Sequence, residues 1–168
     1  MTDKEMLRHI DHTLLKASAS WEDITLLCDE AFQYKTASVC IPPSYIKPVH
    51  EIYGNTLTIA TVVGFPLGYS VSAVKAAETE QALADGASEI DMVINIGDVK
   101  NRLFDRVLQE ITTLKKIVGH QILKVIVENC YLTQEEKIRL CKLVSSAEAD
   151  YIKTSTGFGT AGAVPVLQ

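Results

Sequence analysis

Glu89-Ile90-Asp91-Met92-Val93-Ile94-Asn95 is a nearly continuous apolar run with a single acid inside it. Isoleucine and valine at this density favour a strand, and the lack of apolar–polar alternation points to one covered on both faces. That is the setting of a parallel sheet flanked by helices. The flanking sequence agrees. Before the run, an alanine-rich segment from about Val71 to Ala84 is expected to be helical and to stop at Asp85-Gly86. After it, Leu103, Val107, Ile111, Leu114 and Val118 recur at helical spacing and end at Gly119.

The alternation continues in both directions. Toward the C-terminus, Ile122 to Val127 reads as a strand. Thr133 and Glu136 have capping-box spacing and open a helix through Ile138, Cys141 and Val144, and Tyr151-Ile152-Lys153 is the last strand. Toward the N-terminus, Leu57 to Val63 is a β-branched strand closed by the loop Gly64-Phe65-Pro66-Leu67-Gly68, and Thr36 to Ile41 is a strand ended by Pro42-Pro43. Ser20 and Asp23 cap a helix carrying Ile24, Leu27, Cys28 and Ala31 on one face to about Tyr34. Thr2 and Glu5 start a short first helix, and Ile10 to Leu15 holds a first strand and its loop. Six strand–helix repeats suit either a doubly wound open sheet or a (β/α)8 TIM barrel. Neither a Rossmann glycine fingerprint nor a Walker P-loop is present, which removes the usual nucleotide-binding readings.

Composition sets the outer limits. The chain has 168 residues, 47% hydrophobic and 22% charged, enough for one domain with a real core. Its formal net charge is -5 and its Lys and Arg are scattered, which argues against nucleic acid and anionic membrane surfaces as partners. No apolar run approaches the roughly 18 residues needed to span a bilayer. The N-terminal segment is polar, with no signal-peptide h-region. Cys28, Cys40, Cys130 and Cys141 form no CxxC pair and have no metal-ligand spacing with the histidines. Reduced thiols in a cytoplasmic protein are expected, with no metal site. Cys28 and Cys141 lie on helical apolar stripes and are expected in the core.

Three strands carry a lone charge: Asp91, Lys124 and Lys153. A charge in a buried strand is costly unless it is paired or neutralised. Side chains alternate along a strand, so Asp91 shares a face with Asn95, Lys124 with Glu128, and Lys153 with Ser155. If those faces point into one barrel, two lysines and an acid converge near the strands' C-terminal ends, where barrel enzymes place their active sites. A structural ion network is the plain alternative. The chemical reading follows from residue type. A lysine attacks a carbonyl only as the free amine, and burial and a second cation both lower a lysine pKa. Lys153 would be that nucleophile, Lys124 would supply cationic field, and Asp91 would move protons beside the resulting imine. Cys40, late in its strand, is a candidate pocket residue, although a small core residue fits equally well. Thr13, in the first loop, and Thr154, which opens the polar loop to Gly159, are candidate polar contacts. His12 is a candidate for ordering a polar network in that first loop, although a lone histidine is more often structural.

Five stretches then match a known family in order: Ile10 to Lys16, Val63 to Gly68, Glu89 to Gly97, Leu123 to Glu128 and Tyr151 to Gly159. The chain resembles the deoxyribose-phosphate aldolases, class I Schiff-base enzymes on a (β/α)8 barrel. The resemblance implies that Lys153 forms the imine, that Asp91 is the acid of the proton relay, and that Cys40 and Lys124 line the pocket. It also implies reversible cleavage of 2-deoxyribose 5-phosphate to glyceraldehyde 3-phosphate and acetaldehyde, in the cytoplasm and without metal or organic cofactor. The C-terminus departs from the pattern. Family members continue with two more strands, a second catalytic lysine in a Lys-Ala-Ser-Gly-Gly stretch, and the residues that hold the substrate phosphate. After Gly162 there is no counterpart, and Ala163 to Gln168 does not resemble the family's next helix. An incomplete barrel domain of about six βα units, lacking the last two strands, is therefore expected over residues 1–168. Its open edges should drive self-association into a homo-oligomer, and its aldolase activity should be low. A non-catalytic remnant serving as an assembly or interaction module is the alternative.

Overall fold

The computed structural model describes residues 2–163; Val164 to Gln168, on which part of the C-terminal expectation rests, lie outside the described residues. The six strands among the described residues are β1 (Asp11–Thr13), β2 (Ser38–Ile41), β3 (Ile59–Val63), β4 (Glu89–Val93), β5 (Ile122–Ile126) and β6 (Tyr151–Lys153). They form one sheet in the order β1-β2-β3-β4-β5-β6. The pairs β1–β2, β2–β3 and β5–β6 are parallel. A doubly wound sheet reverses its order partway at a switch point. Here the order never reverses, which is the winding of a barrel and rules out the doubly wound alternative. The helices are α1 (Asp3–Leu7), α2 (Trp21–Tyr34), α3 (Ile46–Tyr53), α4 (Ser72–Ala84), α5 (Ile96–Lys100), α6 (Phe104–Val118) and α7 (Gln134–Ser146).

The chain divides into two compact units. One runs to Val62 and adds Gln81–Ile90; the other comprises Val63–Glu80 and the chain from Asp91 onward. In the first, Ser20 caps α2 as expected, its side chain accepting from the Asp23 N–H while the Asp23 carboxylate accepts from the Ser20 N–H. Ile24, Leu27, Cys28 and Ala31 of α2 are buried, as are all four residues of β2. Burial, and then the neighbouring Asp29 charge, push the Cys28 thiol up to about 11, so it is an inert core residue. Sequence periodicity gave no element between Pro43 and Leu57, yet a 3-10 turn (Pro43–Tyr45) and α3 fill that gap. Pro48 is the reason α3 was not apparent. It sits in the first turn, where its missing N–H has no helical partner to lose.

In the second unit, α6 buries Phe104, Val107, Ile111, Leu114 and Val118. Thr133 caps α7 through a complete capping box. The buried stripe of α7 is Leu140 and Val144, whereas Ile138 is exposed. Cys141 is also exposed, which corrects its placement in the core. Among the described residues, no helix is long and apolar enough to cross a membrane.

The loop after β3 is sterically constrained. Gly64 and Gly68 both have positive φ, 62° and 72°, and the Gly68 N–H donates to the Gly64 carbonyl at 2.7 Å. A Cβ on Gly68 would lie 1.9 Å from the Ile94 carbonyl oxygen. Gly68→Ala is therefore expected to cost at least about 2 kcal/mol, since strain and a backbone clash add. A urea midpoint that does not move would show that the loop relaxes freely.

Candidate active site

Asp91, Lys124 and Lys153 lie on β4, β5 and β6, three successive strands of the sheet. In the β5–β6 register Ile126 stands opposite Lys153, and Lys124 is two residues before Ile126. Residues opposite each other, and residues two apart, share a face. The two lysines therefore point to the same side of the sheet. The Asp91 carboxylate meets both: Oδ2 accepts from Lys153 Nζ, and Oδ1 lies 3.5 Å from Lys124 Nζ. Exposure is uneven across the cluster. The side chains of Asp91 and Lys124 are 1% and 8% exposed, while that of Lys153 is 31% exposed. One buried carboxylate thus faces two cations, and only one of the cations reaches solvent.

β6 is tied to β5 at both ends. At its start the Asp150 N–H donates to the Leu123 carbonyl at 3.0 Å, and the Asp150 carboxylate accepts from the Leu123 N–H at 2.8 Å and from Lys115 Nζ at 2.6 Å. Burial works against the Asp150 charge, but these donors outweigh it and hold the carboxyl below its ordinary value. At its end the Val127 N–H donates to the Lys153 carbonyl at 3.0 Å, and the Asn129 N–H to that of Thr154 at 2.7 Å.

Asn95 lies beyond β4 and caps α5, its side chain accepting from the Asp98 N–H. Glu128 lies beyond β5 with φ 52°, and its buried carboxylate accepts from the Thr156 N–H and hydroxyl. Thr154 is exposed, its carbonyl bound by Asn129 and its Oγ1 accepting from the Ser155 hydroxyl at 3.2 Å.

Thr13 and Cys40 belong to the first unit. The structure brings them together as register partners on β1 and β2. Cys40 is buried, and the Thr13 hydroxyl donates to the Asp11 carbonyl at 2.8 Å. His12 Nε2 lies 2.8 Å from Glu30 Oε2 of α2.

A buried ion pair was not anticipated. Lys75 of α4 is 0% exposed; its Nζ donates to the Val93 carbonyl at 2.8 Å and to Glu110 of α6 at 2.9 Å. Ser72 donates to the other Glu110 oxygen at 2.9 Å. Burial pushes the Lys75 pKa down, and Glu110 works in the opposite direction. The signal was present in the sequence: Glu110 falls on the apolar stripe of α6, between Val107 and Leu114.

A singly wound parallel sheet with an amine and a carboxylate paired among its strands is the framework of an α/β-barrel aldolase. The chain belongs to the DeoC/LacD family of aldolases, whose sequence pattern it matches over residues 6–165. It is 64% identical over 163 residues to a deoxyribose-phosphate aldolase of Clostridium botulinum (strain Alaska E43 / Type E3), a match covering 97% of this chain and 74% of that protein. To the deoxyribose-phosphate aldolase of Clostridioides difficile (strain 630) it is 51% identical, over 95% of this chain and 73% of the other. Among solved structures, one from Coccidioides immitis named for the same activity superposes with a TM-score of 0.93 at 38% identity, covering 98% of this chain and 65% of that one. The tetrameric deoxyribose phosphate aldolase of Aeropyrum pernix gives 0.89 at 29% identity, over 96% and 68%. The chain thus spans between about two thirds and three quarters of the length of these relatives.

Proposed function

We propose that the chain is a Schiff-base aldolase that cleaves 2-deoxyribose 5-phosphate to glyceraldehyde 3-phosphate and acetaldehyde. The observation that carries this reading is the Asp91 carboxylate between two lysines, with Lys153 the more exposed. When Asp91 and Lys124 are both ionised their charges cancel. Lys153 can then give up its proton without leaving a net charge in the cluster, and its free amine can add to an aldehyde or ketone. As the free amine adds to the carbonyl carbon, the Asp91 carboxylate, already hydrogen-bonded to that nitrogen, is within reach to take a proton from it and hand it to the carbinolamine oxygen, which leaves as water, and then to serve the carbon beside the imine. Thr13, Cys40 and Thr154 are proposed as substrate contacts. The family match runs across both compact units, which supports treating them as one functional domain. The test is release of glyceraldehyde 3-phosphate from 2-deoxyribose 5-phosphate by the purified chain, with Lys153→Ala as the control. No release above that control would remove the reading.

Self-association is part of the same proposal. Tyr151 and Ile152 of β6 are 58% and 41% exposed, and a strand at the end of a sheet order offers unpaired backbone groups to a second copy. The tetrameric Aeropyrum pernix relative supports an oligomeric reading. Light scattering is expected to give a mass above one chain; a monomer at all concentrations would count against it.

A further inference from the structure

We infer that Glu128 is a positioning residue that sets the geometry of Lys153 through the loop following β6, an inference that rests on the proposed aldolase reading. Lys153 is the last residue of a three-residue strand at one end of the sheet order. Its placement therefore leans on what holds the chain just after it. The backbone ladder from β5 stops with Asn129 holding Thr154. The next attachment is made by a side chain. Glu128 has left-handed backbone, which takes it out of the strand's alternation, and its buried carboxylate receives both the Thr156 N–H and the Thr156 hydroxyl. The Thr156 hydroxyl in turn accepts from the Phe158 N–H at 3.0 Å.

The far end of the loop closes on the same group. A Cβ on Gly159 would stand 3.0 Å from Glu128 Cδ and 2.9 Å from Cys130 Sγ, so the loop packs directly on the carboxylate. Two halves of the loop, Thr156 and Gly159, thus converge on one side chain. A carboxylate accepts several hydrogen bonds at once; here it accepts from Thr156, three residues beyond Lys153, and packs against Gly159, six beyond it. Misplacement of a reacting group by about 1 Å is enough to cost about 100-fold in rate. The effect of Glu128 on Lys153 runs through the loop that the two residues bracket.

The experiment compares wild-type, Glu128→Ala, Glu128→Gln, Thr156→Val and the Glu128→Ala/Thr156→Val double variant. It reads the rate of borohydride-trapped acetaldehyde adduct on Lys153, the urea midpoint, and hydrogen exchange of the peptide covering residues 154–159. Glu128→Ala is expected to slow trapping by about 10-fold or more and to speed exchange in the peptide. Glu128→Gln keeps an oxygen acceptor for Thr156 and is expected to recover most of the rate. Thr156→Val should reproduce part of the loss, and the double variant should lose less than the two single losses combined. A folded Glu128→Ala that traps at the wild-type rate overturns the inference, as does strict additivity. If Glu128→Ala fails to fold, Thr156→Val carries the test, and a wild-type rate there overturns it equally. If the wild-type chain forms no adduct at all, the aldolase reading fails by itself. The loop clamp is then judged on exchange alone, and unchanged exchange in Glu128→Ala, or in Thr156→Val where Glu128→Ala does not fold, removes it.

Discussion

Borohydride reduction in the presence of acetaldehyde is expected to leave one ethyl group on Lys153, and Lys153→Ala is expected to abolish it. The amine nitrogen adds to the aldehyde carbon, water leaves as the imine forms, hydride then adds at the former carbonyl carbon, and solvent supplies the proton on nitrogen. Lys124 is the competing amine, since it also lies against Asp91. Access decides between them: the Lys124 side chain is 8% exposed and that of Lys153 31%. Peptide mass mapping should therefore place the group on Lys153 alone. Turnover in Lys153→Ala should fall on the order of 1,000-fold or more, because removing a nucleophile disables the whole relay and not one interaction within it. An ethyl group on Lys124 in the wild-type chain would reassign the nucleophile. No adduct on any lysine of the site would favour a non-catalytic scaffold.

Lys75→Met is expected to be the most destabilising of the single changes considered. It leaves Glu110, 5% exposed, without its buried cation and held by the Ser72 hydroxyl, and leaves the Val93 carbonyl without the ammonium. Removing one partner of a buried pair typically costs about 3–5 kcal/mol, a fall of about 10 °C in midpoint for a chain of this size. The double change Lys75→Met/Glu110→Leu removes both charges and should recover most of that loss, because two apolar groups need no compensation. A Lys75→Met cost below about 1 kcal/mol, measured by urea unfolding, would mean that water or a neighbouring group compensates the stranded carboxylate. The pair also bears on the site, since Val93 follows Asp91 by two residues on β4 and its carbonyl is the one Lys75 holds.

The winding of the chain was legible because it depends on features that sequence carries directly. Apolar runs, capping boxes at Ser20 and Thr133, and glycines after α4 and α6 need no tertiary information. The three strand charges were legible for a similar reason: a lone acid or lysine in a β-branched run has few inexpensive explanations. What failed was local geometry at the strand ends. Glu128 was assigned a face by counting in twos, and that count stops where the backbone leaves the strand. For Glu128 the departure is a left-handed residue, which nothing in the identity of a glutamate announces. Cys141 failed for a different reason. A cysteine one position from buried Leu140 and three from buried Val144 is ambiguous on a helix whose apolar face is narrow. Lys75 was missed because it forms a pair across 35 residues, and of the two partners Glu110 alone, on the apolar stripe of α6, stands out before the two helices are in contact.

The exposure of Tyr151 and Ile152 has a consequence for how the chain ages under heat. Free energies of local opening vary across a fold, and short, exposed strands open at the low end of that range. The nucleophile of the proposed reaction is thus carried on a segment that can come loose while the interior around Ile111, Leu123 and Leu140 stays packed. On a rising temperature ramp, reactivity at Lys153 and the bulk unfolding signal would part company, with chemistry fading first and returning on cooling. The working lifetime of such a site is governed by the weakest strand and not by the core.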